Sequence, residues 1–136
     1  MSQAAAEVDL RRLAAKTGPY PAEAFQFVRD GLQRTMELVH GQGLGPEGDR
    51  HVSGQQLCMG LRDFAIERYG MLALGVLQGW NVHRTDDLGR IVFAMIDAGL
   101  MSKTSRDSLD DFRGVFDFPE AFSRDRLATA IGRRPA

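Results

Sequence analysis

The chain has 136 residues, 43% hydrophobic and 26% charged, which suits one globular domain able to bury about two thirds of its unfolded surface unaided. Seventeen Lys and Arg stand against eighteen Asp and Glu. That balance argues against a strongly basic nucleic-acid or membrane-surface protein and leaves room only for a local patch. The one cysteine, Cys58, excludes an internal disulfide, and with no long apolar run or signal-peptide pattern a soluble cytoplasmic protein is expected.

Residues 1–17 are alanine-rich, with Leu10, Leu13 and Ala14 among Arg11, Arg12 and Lys16. This is a narrow stripe, so a helix here needs a partner surface. Gly18-Pro19-Tyr20 ends it. A strong helix is predicted from Pro21 to about His40, because Phe25, Val28, Leu32, Met36 and Val39 recur at three- and four-residue spacing. Gly41 is placed to end it, and residues 41–50 read as a surface loop rich in glycine.

Ser53 with Gln56 has the spacing of a capping box, and Leu57, Leu61, Phe64, Ala65 and Tyr69 give the next helix its buried face. Residues 71–80 are nearly all apolar and predict a short helix central to the core. Thr85 is expected to cap the following helix, whose apolar face is Leu88, Ile91, Val92, Met95 and Ile96. Asp86 and Asp87 sit in its first turn, where the positive dipole end favours carboxylates. Gly99 is its stop, with Leu100 folding back.

The acidic, aromatic tract from Ser105 to Phe122 offers at most two short helical turns, one beginning near Pro119. Phe112 to Phe118 is the only strand-like stretch, and it is short. The expected architecture is all-α: one compact domain of about five helices with a helix-turn-helix-like pair and an irregular acidic and aromatic C-terminal tract. Residues 1–18 are expected to form an N-terminal helical extension, 19–122 the helical domain, and 123–136 an arginine-containing tail.

Each chemically suggestive group has a plainer alternative. The glycine-rich loop 41–48 lacks the preceding strand and following lysine of a phosphate loop. His40, His51 and Cys58, with His83 far along the chain, lack the paired spacings of a zinc site, so no metal and no cofactor is expected. Asp107, Asp110, Asp111 and Asp117 lack an EF-hand pattern. Asp107 and Asp117 are better read as caps, with Asp110 and Asp111 in water. Cys58 reads as a small buried hydrophobe and the Ser53 hydroxyl is taken by its cap, so no catalytic residue is assigned and the chain is not expected to be an enzyme.

Residues 71–80 and 86–98 look like a helix-turn-helix in outline, yet Asp86 and Asp87 would repel a phosphate backbone at the start of the second helix. If nucleic acid binds, Arg11, Arg12, Lys16, Arg124 and Arg126 are the better candidates. Phe27 projects about 200° from Phe25 around its helix. It either packs, with the acidic aromatic tract as its expected cover, or marks a partner surface.

Three ordered groups of motifs run along the chain. They are Tyr20-Pro21 with Glu23-Ala24-Phe25 and Phe27-Val28; His51-Val52-Ser53-Gly54-Gln55 with Leu57; and Thr85, Asp87, Gly89 and Ile91-Val92-Phe93, continuing to Lys103-Thr104, Asp107, Asp111-Phe112 and Phe116-Asp117-Phe118. Over residues 20–122 the chain resembles a bacterial family of short uncharacterised proteins known by the "Minf" locus label. The resemblance implies a bacterial, single-domain, cytoplasmic protein and carries no activity, cofactor or catalytic residue with it. It draws attention to His51, Val52, Ser53 and Gln55, which join Phe27 as candidate partner contacts. The expected function is a non-catalytic protein-interaction or self-assembly module. The alternative is association with nucleic acid or the ribosome; a small-molecule pocket has no polar constellation to mark it.

Overall fold

Among the described residues the capping and periodicity signals become seven α-helices: α1 (Gln3–Thr17), α2 (Ala22–His40), α3 (Gly54–Tyr69), α4 (Ala73–Gly79), α5 (Thr85–Asp97), α6 (Phe118–Ala121) and α7 (Arg124–Gly132). The 3-10 turns Gly70–Leu72 and Leu109–Phe112 lie between them. This computed structural model describes residues 3–40, 52–101 and 107–132, and side chains between residues 9 and 130 of those ranges. The fold is all-α, with no strand among the described residues. The strand-like stretch 112–118 runs from the end of the 3-10 turn, through turn and bend residues 113–116, to the first residue of α6.

α2 and α3 make the most extensive helix pair, and two glycines let them approach closely. A methyl group on Gly60 would strike the Thr35 side chain, and one on Gly31 would strike Leu61. Thr35 is buried at this crossing, and its hydroxyl is satisfied by donating to the Gly31 carbonyl at 2.7 Å. Phe25, Val28, Leu57, Cys58, Leu61 and Ala65 form the core between the helices, joined by Ile91 and Met95 of α5. α1 docks on this core through Leu10 and Ala14, the partner surface its narrow stripe required.

The segment 71–80 departs from expectation. Gly70 turns the chain with φ 54°, a backbone state that suits a residue without Cβ, and with Met71 and Leu72 it tightens into a 3-10 turn. Met71 and Leu72 are thereby swung outward, 52% and 72% exposed, and only Ala73 and Leu77 of α4 are buried. Overall apolarity predicted a central helix; the backbone turn placed it at the periphery.

Thr85 is also corrected. The N-cap is Arg84, in extended backbone, and Thr85 is the first helical residue. Its fully buried hydroxyl instead reaches the C-terminal tract, donating to the Phe112 carbonyl at 2.7 Å and accepting from the Val115 N–H at 3.0 Å. Asp86 accepts from the Gly114 N–H at 3.2 Å. Gly89 makes room for Phe112, whose Cβ would lie 2.6 Å from an added methyl. The aromatic tract is thus stitched across the start of α5. Gly99, at φ 78°, ends α5, and the Leu100 N–H closes back on the Met95 carbonyl at 2.8 Å.

Within the tract, Ser108 and not Asp107 caps the 3-10 turn, and Asp111 returns the bond by accepting the Ser108 N–H. Asp117 caps α6, as its spacing predicts. The tail continues as α7, held by the buried Leu127.

Candidate functional site

A groove of about 390 Å³ opens where α1, α2, the end of α3 and the residue after α4 converge. α1 contributes Leu10 and Arg11, α2 contributes Ala22, Glu23, Gln26 and Phe27, α3 contributes Arg68 and Tyr69, and Trp80 closes the set. This size lies at the small end of the roughly 300–1,000 Å³ typical of ligand pockets.

The aromatic part is rigid by construction. Phe27 packs against Phe64, Tyr69 and Trp80 with ring centroids 5.4, 6.2 and 5.5 Å away, and Tyr69 meets Trp80 edge-on at 5.9 Å. Offset and edge contacts of this kind suit the ring quadrupoles. Phe64 also carries the Arg68 guanidinium 4.8 Å from its ring centre. The position of Trp80 depends on the turn that follows it. Asn81 adopts φ 64°, a state asparagine tolerates, and its amide donates to the Pro19 carbonyl at 3.0 Å. The turn between α1 and α2, with its cis Gly18-Pro19 bond, therefore holds the turn that carries the indole.

Polar groups line the groove unevenly. Arg68 pairs with Asp30 at 3.6 Å, and Gln26 donates to the same carboxylate. Arg11 and Glu23 are exposed and form no ion pair or side-chain hydrogen bond among the described residues.

A second polar cluster is closed. Tyr20 is buried, and its hydroxyl donates to Asp87 Oδ1 at 2.5 Å. Asp87 Oδ1 also takes Arg90 at 2.6 Å, while Oδ2 accepts the N–H groups of His83 and Arg84 at 2.9 and 3.2 Å. Burial pushes the Asp87 carboxyl upward, but the bonds from Tyr20, His83 and Arg84 and the Arg90 charge outweigh it and hold it below its ordinary value. Burial first, then the bond to Asp87, raises the Tyr20 phenol. Both Asp87 oxygens are occupied by the protein's own donors, so the cluster ties three chain segments together.

The candidate residues separate. Phe27 is 2% exposed, and its cover is the aromatic set of α3 and Trp80, not the acidic tract expected from the sequence. Phe27 and Arg11, assigned to different roles, share the groove. His51 lies outside the described residues. Val52 is half-buried and, with Leu57, borders a separate apolar cavity of about 60 Å³. Ser53 and Gln56 form the reciprocal cap, at 3.1 and 2.9 Å. Gln55 is exposed.

Arg12 and Lys16 are exposed on α1, and Arg124 and Arg126 on α7, where Arg126 pairs with Glu120 at 3.7 Å. Thr85, Asp87, Leu88 and Gly89 are buried beneath Tyr20 and the 112–115 turn, so the start of α5 is not presented for base contact. Cys58 is fully buried, and burial, with the charge of Asp86, pushes its thiol up to about 12. Among the described residues no three His, Cys, Asp or Glu side chains gather as a metal site, and no helix is long and apolar enough to cross a membrane.

The sequence reading gives Glu23, Gln26, Arg68, Tyr69 and Trp80 no place in a site. The off-stripe direction of Phe27 was the one signal pointing to them. No protein family, curated protein or solved structure matches the chain.

Proposed function

We propose that the chain is a non-catalytic protein-interaction module that contacts another protein through the groove between α1 and α2. The observation that carries this reading is the groove walled by half-buried Tyr69 and Trp80, whose rings are held in place by the buried Phe27. Preordered aromatic surface binds with little loss of side-chain freedom, which is why Tyr and Trp are enriched at binding hot spots. The engaged Ser53 hydroxyl and the sealed Cys58 thiol support a non-catalytic role. A short bacterial cytoplasmic protein of the family its motifs resemble completes the proposal.

The test is quantitative affinity capture from native lysate with the wild type and with Gln26→Phe, which fills the groove from its half-buried rim. The expected result is a protein recovered by the wild type and lost with the variant, circular dichroism showing both folded. Identical recoveries would overturn the groove reading. The exposed cations Arg11, Arg12 and Lys16 of α1 favour nucleic-acid association as a second reading. It requires affinity that falls steeply with salt and is lost when these three are changed to glutamine.

A further inference from the structure

Resting on that reading of the groove, we infer that α1 is a hinged flap along it. The helix undocks as one unit about Gly18 while α2 to α5 stay folded, and its position sets how far the groove stands open. The chain is held very differently on the two sides of this hinge. Beyond it, the Pro19 carbonyl accepts the Asn81 amide at 3.0 Å, and the buried Tyr20 donates to Asp87, which also takes the N–H groups of His83 and Arg84. Before it, the described side chains of α1 make no hydrogen bond or ion pair with the body; they dock through the buried Leu10 and Ala14, with Leu13 half-buried. Gly18 stands between, exposed, with φ 37° and nothing within 4 Å of where a Cβ would lie.

The core of the body is built from other helices: Phe25, Val28, Leu61, Ile91 and Met95 belong to α2, α3 and α5. A helix of 15 residues is marginal in water by itself, so α1 is seated or lost as a whole. Segments with few buried anchors and no polar tie supply the easiest openings of a native fold, and lids are drawn from them. Leu10 and Arg11 are the share of α1 in the groove wall, so lifting the helix opens the groove along α2.

The test places a thiol under α1 by Ala14→Cys, with the native, fully buried Cys58 reporting global opening in the same molecule. Labelling by a disulfide reagent at pH 8 is read at each site by mass spectrometry, across urea concentrations below the unfolding transition. The expected result is labelling at position 14 roughly a hundredfold faster than at Cys58 and with a shallower urea dependence, because a partial opening exposes less surface than global unfolding. Amide exchange of the wild type, which does not depend on the variant folding, is expected to show residues 10–17 exchanging together and ahead of α3. Equal rates and equal urea slopes at the two thiols would overturn the flap. Exchange graded from the first turn, with Ala14 as slow as α3, would reduce the motion to end fraying and overturn it as well. Both measurements use the free protein, so their failure leaves the groove standing as a contact surface. Failed capture from lysate beside fast labelling at position 14 would remove the role of the groove and leave the hinge.

Discussion

Asp87→Asn is the most informative single change to the fold, because both carboxylate oxygens are fully used. Oδ1 accepts Tyr20 at 2.5 Å and Arg90 at 2.6 Å, and Oδ2 accepts two backbone N–H groups at 2.9 and 3.2 Å. An amide has one accepting oxygen, so either orientation turns an NH₂ group toward two donors. Hydrogen bonds to a charged partner contribute about 1.5–3 kcal/mol each, and a carboxylate in the first helical turn adds about 0.3–1 kcal/mol. The Arg90 side chain is 55% exposed, so its ion pair is screened and adds little. We expect a loss of about 3 kcal/mol at pH 7. At roughly 3–5 °C per kcal/mol for this size, Tm falls by about 10 °C.

The pH dependence supplies an internal control. The folded value of Asp87 lies below its ordinary 3.8, so its ionised form stabilises the fold fully above pH 3.8. That contribution is lost as pH falls through the lower folded value. Urea unfolding followed by Trp80 fluorescence should therefore show a gap between wild type and Asp87→Asn that is constant from pH 7 to 5 and closes below pH 3.8. A variant as stable as wild type at pH 7, or a gap unchanged at pH 3, would refute the role given to this carboxylate.

Other substitutions probe separate joints. Thr85→Val keeps the shape but strips the Phe112 carbonyl and Val115 N–H of their partner; a cost of about 2 kcal/mol is expected in urea unfolding. Gly60→Ala forces a methyl into Thr35 at the α2–α3 crossing and should cost about 1–3 kcal/mol by calorimetry. Ser53→Ala removes half of the capping box, and a loss of about 1 kcal/mol in the same assay would confirm it. Cys58, buried with its thiol raised to about 12, should react with a disulfide reagent at pH 8 only as fast as the protein opens. Immediate labelling of the native protein would contradict its burial.

Much of the helix pattern was legible because it is local. Ser53 with Gln56, Asp117 with Glu120, and Gly99 with Leu100 act within a few residues, so spacing alone reveals them. Thr85 was misread because its hydroxyl partner is 27 residues away, and no local rule weighs a remote carbonyl against a cap. Residues 71–80 were misplaced because composition reports how apolar a segment is, not which way the preceding turn at Gly70 aims it. The groove was hidden for the same reason. Its members come from residues 10 to 80, and only the direction of Phe27 hinted that a second face of α2 was occupied.

The most direct test of the groove as a contact surface uses the one tryptophan in the chain, Trp80, which lines it. Its indole N–H gives a single resonance in a nitrogen-correlated NMR spectrum, to be followed while the protein captured by the wild type from lysate is added. The account predicts that this resonance shifts in saturable fashion, and that it stays in place in Gln26→Phe. A bound partner that leaves the indole untouched and instead perturbs residues 52–55 would move the contact to the start of α3 and contradict it.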